Sequence, residues 1–370
     1  MRKCLALTLV LVFLIALCPV VTELAFSSAE IVENSWVSKA PMQEARSGLG
    51  VAVVNGKIYA IGGRNASFDL VSKNEVYAPS NDNWTTLAPM PTPRLRFGIA
   101  IYQNKIYAIG GIVDYVASAA DGFAVGVVTG VNEVYDPATN TWETKTPMPT
   151  KRGGLQANVV DGKIYCISGF SQGSRFSNVT EAYDPTNDSW STAAAIPNFQ
   201  EEYCSAVVDN KIYIISDKVQ IFNPENNDWS TGVPPPTGVY QGAAGATTGI
   251  MAPKQICFLG GVQGLNQIYY PSNDSWATAG ASMPTPRNHL AVGVLNDTLY
   301  AIGGGTADSG ILAINEQYTP IGYGTPSSTP SPNPSPNLGS FPIVPVAVSG
   351  ISAVVVVGAV LVIYLKRHSR

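Results

Sequence analysis

Lys57-Ile-Tyr-Ala-Ile-Gly-Gly63 is the stretch on which the fold turns, because the chain writes it six times. It returns as Lys105-Ile-Tyr-Ala-Ile-Gly-Gly111, Lys163-Ile-Tyr-Cys-Ile-Ser-Gly169 and Lys211-Ile-Tyr-Ile-Ile-Ser-Asp217, then as Gln255-Ile-Cys-Phe-Leu-Gly-Gly261 and Thr298-Leu-Tyr-Ala-Ile-Gly-Gly304. A second phrase falls between the copies: Tyr77-Ala-Pro79, Tyr135-Asp-Pro137, Tyr183-Asp-Pro185, Phe222-Asn-Pro224 and Tyr270-Pro271. A tryptophan follows each of these, and the six tryptophans (Trp36, Trp84, Trp142, Trp190, Trp229, Trp276) stand 48, 58, 48, 39 and 47 positions apart. A period near 50 marked by a rare, large residue is the signature of a repeat architecture.

The local reading is β throughout. The Ile-Tyr runs are short, β-branched and aromatic, and turn residues close them. An apolar stretch precedes each run across a polar turn such as Asn55-Gly56 or Asp161-Gly162, which reads as a hairpin. Each unit therefore supplies four strands: an inner strand a, the Ile-Tyr strand b, the Tyr strand c and the Trp strand d. One such unit cannot bury both of its faces, whereas radial stacking of several can. Trp36 precedes the first a strand, and the last unit ends at Tyr318-Thr-Pro320 without a tryptophan. The N-terminal strand is therefore expected to complete the last blade and close the ring.

These marks together resemble the kelch-repeat β-propellers. The matching residues are the Gly-Gly pairs, the Tyr of strand c, the Trp six to eight residues later and the Arg before strand a, over about residues 30 to 320. The resemblance implies an all-β, six-bladed propeller and is nearly silent on function. Units four and five depart most: Ser216-Asp217 replaces Gly-Gly in unit four, and unit five has no Arg before strand a.

The ends suggest how the propeller is displayed. Met1-Arg2-Lys3, an apolar run and Ser27-Ser28-Ala29 have the layout of a secretory signal, expected over 1–29. The propeller follows over 30–320, then a Ser/Thr/Pro-rich stalk over 321–342. Phe341 to Leu365 carries no charge, and a membrane-crossing helix is expected over 343–365. Lys366, Arg367 and Arg370 then make 366–370 a basic cytoplasmic tail and put the propeller outside the cell. Sequons at Asn65, Asn83, Asn178, Asn187, Asn273 and Asn296 agree with that placement.

Composition narrows the function classes. The 370-residue chain is 13% charged with a net charge of −4, against roughly 25% charged in ordinary soluble proteins. No basic cluster stands outside the tail, so a nucleic-acid partner is not expected. Cys4 and Cys18 lie in the signal, leaving Cys166, Cys204 and Cys257. An odd count prevents full intramolecular pairing, although a Cys166–Cys204 bridge between adjacent blades would be compatible with it. His289 is the single histidine of the propeller, and no Cys pair has ligand spacing, so neither a metal nor another cofactor is expected. Galactose oxidase, a kelch enzyme, uses two His among its copper ligands, which this propeller lacks.

Antiparallel strands put the d–a and b–c connections on one face and the a–b and c–d connections on the other. Four of the sequons and the stalk exit fall on the second face, so the first is expected to point away from the membrane and to bind. The residues expected there are Arg46, Arg94, Arg152 and Arg287 before strand a, His289, and Glu201, Glu202, Tyr203 and Tyr240 where units four and five break the pseudo-symmetry. The long, apolar b–c connection of unit two, Ile112 to Gly130, could cap the channel or meet a partner. The reading that follows is a cell-surface module binding an extracellular protein or glycan. Alternatives are a carbohydrate-active enzyme resembling sialate epimerase, with acid/base work on Glu201, Glu202, Arg94 and Arg152, and a structural adhesion protein.

Overall fold

The computed structural model describes residues 32–324, apart from 118–123, 173–175, 200–202, 239–240, 262, 278–279 and 307. The expected signal, most of the stalk, the membrane segment and the tail lie outside the described residues. So do Glu201, Glu202 and Tyr240.

Six four-stranded antiparallel sheets form the blades. Blade one is Gly50–Val54, Lys57–Ile61, Asn74–Ala78 and Asn83–Thr86. Blade two is Gly98–Tyr102, Lys105–Ile109, Asn132–Asp136 and Thr141–Lys145. Blade three is Gln156–Val160, Lys163–Ile167, Thr180–Asp184 and Ser189–Ala193. Blade four is Cys204–Val208, Lys211–Ile215, Val219–Asn223 and Asp228–Gly232. Blade five is Ala243–Ala246, Ile256–Gly260, Leu265–Tyr270 and Ser275–Trp276. Blade six is Ala291–Leu295, Thr298–Ile302, Asn315–Thr319 and, as its outer strand, Ser35–Lys39. The N-terminal strand pairs antiparallel with Asn315–Thr319 and sets Trp36 opposite Tyr318. This is the closure that the displaced tryptophan predicts. Among the described residues there is no α-helix, and no helix long and apolar enough to cross a membrane.

The repeated tryptophan does more than fill space between sheets. In every blade its indole N–H donates, over 2.8–2.9 Å, to the carbonyl of a residue just past strand d of the preceding blade: Ala40, Ala88, Thr146, Ala194, Val233 or Ala281. The backbone N–H of that same residue donates, over 2.6–2.9 Å, to the side-chain oxygen of an Asp or Asn in the turn that precedes the next blade's outer strand. These turn residues are Asn34, Asp82, Asn140, Asp188, Asn227 and Asp274, all left-handed at φ of 46–56°. Asp and Asn tolerate that conformation better than other side-chain-bearing residues. In five blades the strand-c Tyr hydroxyl donates to the same oxygen. Phe222 replaces that Tyr in blade four. Six two-point clasps thus join blade to blade around the ring, including across the seam.

Blade five corrects the register of the second phrase. Tyr269, not Tyr270, sits opposite Trp276, is buried and binds Asp274.

The b strands form the buried layers. Ile58, Ile106, Ile164, Ile212, Ile256 and Leu299 are all fully buried and packed into inter-blade cores. The Gly-Gly pairs serve close backbone approach. A Cβ on Gly303, at φ +65°, would lie 2.5 Å from the carbonyl oxygen of Arg46. All three cysteines are free and buried in separate cores, so the Cys166–Cys204 bridge does not form. Burial raises all three thiols, Cys166 and Cys257 to about 12, which makes them inert.

Candidate functional site at the channel mouth

The four arginines expected at the channel mouth lie instead inside the blades. Arg46, Arg94, Arg152 and Arg287 are 0–1% exposed. Each reaches inward to a carboxylate on strand c of its own blade: Arg46 to Glu75 at 2.6 Å, Arg94 to Glu133 at 2.5 Å, Arg152 to Glu181 at 2.8 Å, and Arg287 to Glu316. Other N–H groups of each guanidinium donate to backbone carbonyls, including those of strand b such as Ala108 for Arg94 and Cys166 for Arg152. A buried guanidinium needs such partners, and no ligand can reach it here.

The sequence held a signal for this pairing. Blade four has Gln200 and blade five Val239 where the others have Arg, and those blades carry Gln220 and Gln267 where the others have Glu. Both charges are replaced together, because a lone carboxylate there would be buried without compensation. Each Gln instead accepts an N–H from, and donates to the carbonyl of, one loop residue, Asn198 or Thr237.

Two residues beyond each arginine the backbone turns left-handed and reaches the channel axis. These positions are Gly48 (φ +63°), Arg96 (+51°), Gly154 (+65°), Gln241 (+61°) and His289 (+53°). The sixth equivalent, Glu202, lies outside the described residues. Their backbones join successive blades: the N–H of Gly48 donates to His289, Arg96 to Gly48, Gly154 to Arg96 and His289 to Gln241, each to the carbonyl and over 2.7–2.8 Å. This hydrogen-bonded arc borders a cavity of about 150 Å³ to which the a strands of all six blades contribute. Because the backbone geometry is shared, the chemistry of the rim is set by the side chains that these positions carry. Holding Arg, Gln and His where glycine fits best costs on the order of 1 kcal/mol each.

The Arg96 Nη2 lies 2.9 Å from Nε2 of His289 and 3.4 Å from its Nδ1. Guanidinium can only donate, so a neutral imidazole accepts through Nε2. Burial, then the charges of Arg96 and Arg64, push the His289 pKa down to about 3. The unfolded imidazole titrates near 6.5. The stability that neutral His289 contributes is therefore complete above about pH 6.5 and is lost as the pH falls toward 3. Histidine NMR should show the ring neutral at pH 5, and His289→Asn should flatten the stability profile below pH 6. An ordinary titration near 6.5 would contradict the half-buried pair.

Tyr203 borders the cavity, yet its hydroxyl is engaged within the wall. It accepts the N–H of Gln156 at 2.9 Å and donates to the Ile167 carbonyl, tying blade four to blade three. Of the residues expected at the site, His289 and Tyr203 reach it. Arg96 was missed because it lies only two positions from Arg94 and looks interchangeable with it in sequence.

The same face carries exposed aromatic side chains. The exposed aromatic side chains among the described residues are Phe68, Tyr115, Phe176 and Phe199, and all four lie in b–c or d–a connections. Phe68 is 63% exposed, with the Arg64 guanidinium 5.0 Å from its ring centre. Phe176 and Phe199 stack at 4.2 Å. Tyr115 stands on the long b–c connection of blade two, a hairpin of Ile112–Ala117 and Ala124–Val128. The base of that hairpin, Ile112 and Val128, packs with Leu95, Leu70 and Phe170, so it is rooted in three blades.

The sequon asparagines Asn83, Asn178, Asn187, Asn273 and Asn296 are exposed. Asn65 is half-buried, and its side-chain oxygen accepts the N–H groups of Ser67 and Asp69. Among the described residues no group of three or more His, Cys, Asp or Glu side chains is arranged to hold a metal.

Comparison with known proteins agrees with this architecture. The family model of the KLHDC2/KLHL20/DRC7 Kelch-repeats domain matches residues 25–216. Many solved structures are similar, among them that of YjhT, at 18% identity and a TM-score of 0.62, covering 74% of this chain and 95% of that one. At that identity the likeness concerns the fold alone. A search of curated proteins finds no match.

Proposed function

Because the chain belongs to the kelch-repeat β-propeller family, we propose that it is a non-enzymatic recognition module that binds an extracellular protein or glycan through its d–a/b–c face. Kelch propellers generally act in protein interaction, and one observation selects this face. The exposed aromatic side chains among the described residues all lie in connections on it, while the opposite face carries none. Aromatic residues dominate binding hot spots because they bury large area with few rotatable bonds. Arg96, Gln241 and His289 on the rim supply the polar contacts that would orient a ligand.

In this reading residues 1–29 direct secretion, 321–342 act as a stalk, 343–365 anchor the chain in the membrane, and the sequons are candidates for glycosylation. The propeller is then displayed at the cell surface with only 366–370 in the cytoplasm.

The test is a screen of the full chain in nanodiscs against glycan and protein arrays, beside Phe68→Ser/Phe199→Ser and Arg96→Ala/His289→Ala variants. A hit that weakens at least about tenfold (1.4 kcal/mol) in either variant supports the face. Hits that both variants retain would move the site to the blade edges. Turnover of a sugar substrate, in the absence of any binding partner, would replace the module with an enzyme.

A further inference from the structure

The a–b connection of blade five is unlike the other five. Those are two-residue turns: 55–56, 103–104, 161–162, 209–210 and 296–297. Blade five spends nine residues there, Thr247 to Gln255, and from Thr247 to Pro253 none is charged. Its tip is apolar and open to solvent, with Ile250 at 74% and Met251 at 39% exposure.

The tip is built rather than loose. Asp297, in the neighbouring a–b turn, is 2% exposed. Its carboxylate accepts the N–H groups of Thr248 (2.6 Å), Ile250 (3.2 Å), Met251 (2.7 Å) and Ala252 (3.0 Å), together with the Thr248 hydroxyl (3.1 Å). Burial raises the Asp297 pKa, but these amide bonds outweigh it and hold the carboxyl below its usual range. A second clasp comes from the Thr247 hydroxyl, which donates to the carbonyl of Pro253 and accepts the N–H of Gln255 at 3.0 Å. A loop fixed this firmly holds two large apolar side chains in water, and exposed apolar surface of that kind marks a contact.

The course of the chain indicates the contact. After strand c of blade six the chain passes beside this loop. Gln255 donates to the Ile321 carbonyl at 3.0 Å, and the Gly324 N–H donates to the Met251 carbonyl at 2.7 Å. Only 18 residues, 325–342, then separate Gly324 from the uncharged run over 343–365. Eighteen extended residues reach about 56 Å at roughly 3.1 Å each, so the loop tip lies well within reach of a bilayer that holds that run.

We propose that Ile250 and Met251 form a lipid-contact tip by which the propeller rests its a–b/c–d face on the membrane surface. This rests on the membrane-anchored reading above and on bare side chains at Asn83, Asn187, Asn273 and Asn296, the sequons of that face. The contact is apolar rather than electrostatic. That face carries Lys57, Lys105, Lys163, Lys211 and Lys254, but Lys254 is paired with Asp209, Lys105 lies 3.3 Å from Asp136, and Asp82, Asp161, Asp184, Asp188, Asp274 and Asp297 at the same strand ends and turns leave it net acidic. Neutral phosphatidylcholine is therefore a sufficient surface, and anionic lipid should not strengthen the contact. Docking this face also leaves the d–a/b–c face, with its exposed aromatics, pointing outward.

The test uses the full chain, produced in a host that adds no N-glycan and reconstituted in phosphatidylcholine vesicles. Met251→Cys carries an environment-sensitive fluorophore, and Cys4 and Cys18 are changed to Ser. Cys166, Cys204 and Cys257 are at most 1% exposed and do not label. A blue shift with quenching by nitroxide-bearing lipid is expected at position 251, and neither at Phe199→Cys on the opposite face. Asp297→Ala, which frees the loop, should reduce the quenching. A water-like spectrum at 251 in vesicles that carry the protein overturns the tip. A blue shift without lipid quenching also overturns it, in favour of a protein occupant. Failure of the chain to float with vesicles would instead refute the anchoring on which the proposal rests.

Discussion

Arg94→Ala destabilises the propeller by about 3–5 kcal/mol, the cost of leaving one member of a buried ion pair without its partner. Arg94 is fully buried and Glu133 nearly so. The same guanidinium also satisfies the carbonyls of Thr92 at 3.0 Å and Ala108 at 2.8 Å. Truncation therefore orphans a charge and two backbone acceptors. Arg94→Met combined with Glu133→Gln should recover most of the loss, because blades four and five already manage without the ion pair and carry Gln220 and Gln267 at the glutamate position. Urea unfolding monitored by tryptophan fluorescence reads the effect. A loss below about 1 kcal/mol would mean that water reaches the pair, as at an exposed salt bridge. Below the melting transition, ligand binding by the single variant should remain intact, since this side chain lies inside a blade.

Deleting Ser35–Lys39 should have the largest effect of all, because one strand closes the ring from both sides. The deletion strips the outer partner from Asn315–Thr319 and leaves a bare edge that pairs readily with another chain. It removes the Trp36 indole bond to the Ala281 carbonyl at 2.8 Å. It also displaces Ala40, which Trp84 and Asp82 of blade one grip over 2.8 Å each. Two of the six clasps fail together. The expected outcome is loss of the cooperative thermal transition, with aggregation on size-exclusion chromatography. Trp36→Ala keeps the strand but loses one clasp and the ring contact with Tyr318 at 5.0 Å. It should cost about 3 kcal/mol, near the lower end for a large aromatic truncation. A monomeric deletion variant with unchanged melting would show that the ring does not need its seam closed.

The blades were legible because their determinants are local and repeated. A Tyr and a Trp about seven residues apart, on strands joined by a tight turn, must face each other, and the period repeats that signal five times, once with Phe222 in place of Tyr. The seam was legible for a related reason: one tryptophan stood before the first repeat and the last repeat lacked one. The Arg–Glu pairs were not read, although their joint replacement in blades four and five was there to see. The partners stand 29 to 39 positions apart, and only the blade register brings them together.

The sequence alone determined the all-β class, the number of blades and the closing strand, because hydrophobic period and turn chemistry act within a few residues. The tertiary structure decided which arginine is internal and which reaches the mouth. Arg94 and Arg96 differ by two positions, and a single left-handed turn at Arg96 sends one into the blade and the other to the channel. It also decided that Asp297 should organise a loop 45 to 49 residues away. Such roles depend on where radial packing places side chains from different blades, and no local pattern in the chain encodes that.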